Sequence, residues 1–199
     1  MNKTTVFVAL AALAALACGP DKGRETAKTM QPGFMEYTCD GAFFKAQVPS
    51  SWKMMENVTT GRQAKEYGAD FAGPSNKDGA YTRISIIYYG ADHARMTFEK
   101  YLDLNSKPDP LLPIAGEAFG QVQDFSLAGR AAKAFDRKTF DFIPPYAVNP
   151  KKVPVYERKV VLRGEKGGFY ALTLHVPADI SREFTATFDK VLDGFSPAR

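Results

Sequence analysis

Near the C-terminus, eight residues alternate in a way only a β-strand explains. From Phe169 to Val176, Tyr170, Leu172, Leu174 and Val176 fall on one face, and Phe169, Ala171, Thr173 and His175 on the other. The first face is wholly apolar and belongs on a core. The second is mixed and is expected to be partly covered. Pro177 has no N–H to donate and stops the ladder. Beyond it, Ile180, Phe184, Phe188, Val191, Leu192 and Phe195 recur at helical spacing, with charged residues on the opposite side. Asp179 or Ser181 is the expected N-cap, and Gly194 the expected C′ residue with positive φ. Three Phe rings on one stripe bury roughly 150–250 Å² each, so this helix needs a sheet to lie on.

The rest of the chain supplies one. A first strand is expected near Ala42–Val48, ending in Pro49-Ser50-Ser51-Trp52, where the sole Trp reads as a core plug. Further strands are predicted over 65–72, with Tyr67, Ala69 and Phe71 on one face, and over 80–89, with Ile84, Ile86 and Tyr88 on one face. Both faces of the latter are substantial, which places it centrally in the sheet. A long turn is expected over 73–79, and a helix over 97–105 with Phe98, Tyr101 and Leu102 on one face. Three prolines make 107–113 irregular. Strands follow at 121–127, 131–142 and 155–163, the last with Tyr156, Val160 and Leu162 inward, and Glu165-Lys166-Gly167-Gly168 forms the turn into the C-terminal strand. Residues 143–154 read as a Pro-rich loop. The fold class is α+β: a central, mostly antiparallel sheet, with no internal repeat and no second domain boundary.

The first 35 residues are of another kind. Met1-Asn2-Lys3 is a short basic start, and Val6–Leu16 is an apolar run, too short to span a bilayer but of signal-peptide length. Ala15-Leu16-Ala17 precedes Cys18. This resembles a bacterial lipoprotein signal, in which the Cys becomes the lipidated first residue. The usual order has Leu three residues before the Cys and a small residue two before it; here Ala15 and Leu16 stand reversed. The same residues fit the A-x-A site of ordinary signal peptidase, and both routes cut before Cys18. Three outcomes stay open: a lipoprotein, a soluble periplasmic or secreted protein, and an unprocessed anchor. The expected divisions are a signal peptide over 1–17, a flexible Gly-, Pro- and charge-rich tether over 18–35, and one folded domain over 36–199. Cys39 is the only other cysteine; it is a lone thiol if Cys18 carries lipid, and open to an 18–39 disulfide if it does not.

The folded part resembles the PsbP-like family, whose fold is shared with the Ran-binding Mog protein. The residues that carry this are Phe44–Val48 running into Pro49-Ser50-Ser51-Trp52, Gly129 before a long strand pair, and the ending Gly168–Thr173 with Phe188, Val191, Leu192 and Phe195. The likeness covers roughly residues 36–197. It implies an α/β/α sandwich, a central antiparallel sheet flanked by helices, and a non-enzymatic binding module of the cell envelope. The family has no common catalytic set to carry over. The 143–154 loop is longer and richer in Pro than the usual hairpin.

Chemistry is sparse. The formal charge of +4 loses one with Lys3, and no Lys/Arg run is long enough to argue for nucleic acid. There is no G-x-S-x-G, P-loop, H-E-x-x-H or C-x-x-C. Asp92-His93 offers two metal ligands at best and reads as a surface turn. His175 as a general base needs a nucleophile and an orienting carboxylate, and no stretch of sequence locates either. No cofactor and no metal are expected. Most tyrosines sit at strand spacing and read as core; Tyr146, in the Pro-rich loop with Lys151 and Lys152, is the expected partner contact. The reading is a non-enzymatic, lipid-anchored envelope protein on the periplasmic side of a membrane, binding an envelope protein. The alternatives are an exported small-ligand binder and an unrecognised envelope hydrolase. Cys18→Ser is expected to move the protein from the membrane to the soluble fraction and to remove a lipid-sized mass from its mature N-terminus, read by fractionation and intact mass.

Overall fold

In a computed structural model, residues 30–198 are described. The expected signal peptide, Cys18 and most of the expected tether lie outside the described residues. In chain order the strands and helices are β1 (Phe34–Thr38), β2 (Phe44–Pro49), β3 (Lys53–Glu56), α1 (Val58–Ala64), β4 (Glu66–Ser75), β5 (Tyr81–Tyr89), α2 (Phe98–Asn105), β6 (Ala118–Phe119), β7 (Gln123–Leu127), β8 (Arg130–Ile143), β9 (Lys151–Arg163), β10 (Phe169–Pro177), α3 (Ser181–Gly194) and β11 (Ser196–Pro197). The fold is α+β with antiparallel sheets. Eight strands form the main sheet in the order β3-β4-β5-β10-β9-β8-β6, with β7 also paired to β8, and a second sheet has the order β1-β2-β11.

The alternation read in β10 sets both faces of the main sheet. Tyr170, Leu172, Leu174 and Val176 join Ile84 and Ile86 of β5, Val160 and Leu162 of β9 and Phe71 of β4 in the larger core. Phe184, Phe188, Val191 and Leu192 of α3 close that core, together with Phe44, Ala46 and Val48 of β2. Ring contacts tie the layers: Phe44 lies 5.6 Å from Phe195, Tyr170 5.6 Å from Phe195, and Tyr37 5.3 Å from Phe71. Trp52 is buried in the same core, 5.8 Å from Phe184, as expected of a plug. On the other face Phe169, Ala171, Val161 and Phe135 form a smaller core under Tyr101, Phe98 and Leu102 of α2. Phe169 stacks on Tyr89 at 4.6 Å.

Several local expectations are corrected. The expected first strand is not part of the main sheet: β2 pairs with β1 and β11 in a separate sheet laid on the larger core. β1 begins at Phe34, inside the segment expected to be tether, and β3 and α1 fill a stretch the periodicity left blank. β4 runs on to Ser75, into the expected 73–79 turn. There Asn76 Oδ1 accepts from the backbone N–H groups of Asp78 and Ala80, which narrows the turn to a few residues. At α3 neither Asp179 nor Ser181 caps the helix: Ile180 holds the N-cap position and the Ser181 hydroxyl donates to Ala178 O. Gly194 is the last helical residue rather than a positive-φ C′ residue. Its reason is close approach, because a Cβ there would stand 2.6 Å from Gln47 Cβ of β2.

The expected loop 143–154 is shorter than read. β8 and β9 pair as far as Ile143 opposite Lys151, which leaves 144–150 as the connection and puts Pro154 in a strand opposite Phe140. Lys151 and Lys152 are therefore strand residues.

Phe188 is fully buried at the centre of the α3 stripe. Phe188→Ala is expected to lower unfolding stability by about 3–5 kcal/mol, read by denaturant titration; an exposed Phe at that position would cost far less.

Candidate functional site

The second face of the main sheet is divided. One end is apolar and covered by α2; the other carries a row of charge set by register. Arg83 of β5 lies opposite His175 of β10, His175 opposite Glu157 of β9, and Glu157 opposite Arg137 of β8. Phe119 of β6 continues the row, with the Arg137 guanidinium 5.2 Å from its ring centroid.

His175 is the hub. Its Nδ1 is 3.0 Å from Glu157 Oε1 and its Nε2 is 3.1 Å from Asp141 Oδ2. Both partners accept, so both ring nitrogens carry protons when the pairs are made. Burial opposes the charge on His175, but the hydrogen bonds and charges of Asp141 and Glu157 outweigh it and raise its pKa. Glu157 is likewise disfavoured as a carboxylate by burial, yet the hydrogen bond from His175 and the charges of Lys159, His175 and Arg137 lower it to about 2. Glu157 Oε2 sits 3.3 Å from Lys159 Nζ and 3.9 Å from Arg137 Nη1, contacts of charge rather than of hydrogen bonding. Arg137 and Thr139 both donate to Glu117, whose side chain is 5% exposed. The cluster holds three carboxylates (Glu117, Asp141, Glu157) and three cations (Arg137, Lys159, His175). It is neutral when His175 is protonated.

The end of the β8–β9 hairpin folds over this row toward the β4–β5 turn. Lys151 pairs with Asp78, and a Cβ on Gly79 would stand 3.9 Å from Ile143 Cγ2. The half-open cavity between them is about 490 Å³ and is lined by Tyr81, Arg83, Asp141, Ile143, Tyr146 and His175 among others. Its size is that of a small-molecule site. The Arg83 guanidinium makes no hydrogen bond or ion pair with any described residue. A second hollow, of about 350 Å³, lies between α1 and β4 and includes Glu56, Glu66 and Asp70. These already accept hydrogen bonds from Tyr37, His93 and Ser85. It has no unpaired cation among its lining residues.

The expected contact residues fall at the end of one hairpin, Tyr146 in the 144–150 connection and both lysines at the start of β9. Tyr146 is at the tip of the connection, fully exposed, with φ 67°, and lines the cavity. Lys151 is spent on Asp78, and Lys152 donates to Ala115 O with its Nζ 3.7 Å from the Phe140 ring centroid. Cys18 lies outside the described residues. Cys39 is buried in the larger core, away from His175, and burial raises its pKa. His93 is not the open surface turn expected: its side chain is 7% exposed, Nε2 meets Glu66 at 2.9 Å, and Nδ1 accepts from Met96 N–H at 2.8 Å. Among the described residues no group of three His, Cys, Asp or Glu is arranged to hold a metal ion. No described helix is long and apolar enough to cross a membrane.

The carboxylates of His175 were missed in the sequence, although one was within reach. The 164–168 turn fixes the β9–β10 register, and that register alone sets His175 opposite Glu157.

No family model matches the chain, and no curated protein does. Among solved structures, the crystal structure of LpqN, involved in cell envelope biogenesis of Mycobacterium tuberculosis, is similar at 17% identity and TM-score 0.44, over 78% of this chain and 83% of that one.

The charge row sets a pH dependence. His175 has a raised folded pKa, so its contribution is full below the ordinary histidine value and is lost as pH rises through the folded value. Glu157 has a lowered one, so its contribution is full above the ordinary carboxylate range and is lost as pH falls toward about 2. The melting temperature is expected to fall as pH rises past the ordinary histidine value. His175→Gln is expected to flatten that fall and to cost about 1–3 kcal/mol at neutral pH, read by thermal melts across pH. A slope unchanged by the substitution contradicts the assignment.

Proposed function

We propose that this protein is a non-enzymatic, exported lipoprotein, held at the cell envelope by lipid on Cys18, whose folded domain captures an envelope protein with the end of the β8–β9 hairpin. Tyr146 carries the reading. It is a large aromatic with its whole side chain in solvent, in a left-handed conformation that Gly or Asn would adopt more easily. Holding a Tyr there costs about 1–2 kcal/mol and gains no packing. Val148, also fully exposed, extends the same apolar tip. Lys151 and Lys152 act in this reading as braces that fix the hairpin from Asp78 and Ala115, not as contact residues.

The envelope location rests on the first 18 residues: the basic start, the apolar run and Ala15-Leu16-Ala17 before Cys18. The PsbP-like assignment, with its α/β/α sandwich, is supported by two observations. α3 and α2 pack on opposite faces of the main sheet, and Phe188, Val191, Leu192 and Phe195 form the closing stripe. The non-enzymatic reading is supported by His175, which has both nitrogens committed to carboxylates and so keeps no lone pair for a general base. A second reading, small-ligand binding, is favoured by the 490 Å³ cavity beneath the tip.

Tyr146→Gly is the test. Relief of the left-handed strain is expected to leave the melting temperature unchanged or slightly higher. Capture of the dominant crosslinked partner from detergent-solubilised envelopes is expected to drop at least about tenfold, the order of a hot-spot loss. Equal capture by wild type and variant removes the hairpin tip from the proposal.

A further inference from the structure

The cavity under the hairpin differs from the rest of the sheet in one respect. Along the charge row every ion but one has a partner: Asp141 and Glu157 hold His175, Lys159 and Arg137 lie against Glu157, and Arg137 reaches Glu117. Three carboxylates balance three cations. Arg83 stands at the end of the row, half-buried and lining the cavity, its guanidinium without a hydrogen-bond or ion-pair partner among the described residues. It is the excess charge of the site.

We propose that the cavity binds a small monocarboxylate with an aromatic body, the carboxylate taken by Arg83. The inference rests on the ligand-binding reading given above and deepens it. A guanidinium presents a planar fork of N–H donors that matches one carboxylate with two parallel hydrogen bonds. One negative charge neutralises one unpaired cation. A phosphate dianion would bring a second charge close to Asp141, which also lines the cavity, with no further unpaired cation among the lining residues to meet it. His175 does not compete for the ligand, since its two nitrogens are held at 3.0 and 3.1 Å by Glu157 and Asp141. It acts as a positioning residue, keeping Asp141 neutralised and the hairpin drawn over the sheet. The body of the ligand meets Tyr81, which is 44% exposed, Ile143 and the ring of Tyr146. Rings with open faces at the rim suit a flat apolar group better than a branched polar one.

The experiment is isothermal titration of the processed chain carrying Cys18→Ser, which dispenses with detergent, using 3-phenylpropionate and its uncharged counterpart 3-phenylpropan-1-ol. Wild type is expected to bind the acid and to bind the alcohol at least about tenfold more weakly, as loss of a charge-assisted pair demands. Arg83→Gln is expected to keep the wild-type melting temperature, because the guanidinium has no partner among the described residues, and to lose the preference for the acid. Arg83→Lys, which keeps the charge and loses the fork, is expected to fall between. Equal affinity for acid and alcohol in wild type overturns the carboxylate assignment while leaving a ligand-binding cavity. Binding of neither compound overturns both the assignment and the ligand reading it rests on. Full acid binding by a folded Arg83→Gln overturns the role given to Arg83.

Discussion

The fold depends on a single strand being paired on both edges and buried on both faces. β10 bonds to β5 on one side and β9 on the other along nearly its whole length. Its period of two then decides what each layer must be. Leu172, Leu174 and Val176 have no exposure, so α3 and the small sheet must close over them. Phe169 and Ala171 on the opposite side require α2. At the far end of that second face β10 carries His175, its side chain 12% exposed, and a charged histidine largely out of water obliges its neighbours to balance it. The charge row is the consequence: register sets Glu157 opposite His175 and Arg137 opposite Glu157, Asp141 reaches His175 Nε2, Lys159 lies against Glu157, and Glu117 meets Arg137.

Because the three carboxylates and three cations around protonated His175 balance, that cluster can lie largely buried without unfolding the sheet, and it fastens the β8–β9 hairpin through Asp141. That hairpin carries the two most exposed large hydrophobics among the described residues, Tyr146 and Val148, and Tyr146 has a backbone suited to Gly. The division is between a rigid floor and a tip that contributes nothing to the core. Such tips, held by a rigid scaffold, are where binding residues concentrate.

Much of the fold was legible because period-two and helical patterns are local. The β10 alternation, the α3 stripe, the Trp52 plug and the 165–168 turn can be read within about ten residues of themselves, and the structure shows each of them. β1, β3 and α1 were not, because their stretches mix polar and apolar residues without a period: β3 has four residues and none of them buried. The 143–154 stretch misled because Pro150 and Pro154 look like breakers. Pro154 nonetheless occupies a strand position, exposed and opposite Phe140, where its missing N–H is tolerated. The site was legible only at Tyr146. His175 lies 18 residues from Glu157 and 34 from Asp141, and Arg83 reaches the same cavity from β5. Pairing across β5, β10, β9 and β8 brings them together, and no single segment carries that information.

The claim at the centre of this account is that the hairpin tip, not the braced lysines behind it, meets the partner. It is tested most directly by placing a photocrosslinking amino acid at position 146, and separately at position 152, in the full-length protein in intact cells. One envelope-protein adduct is expected from position 146 and none of that mass from position 152. An adduct from position 152 alone, or none from either, would contradict it.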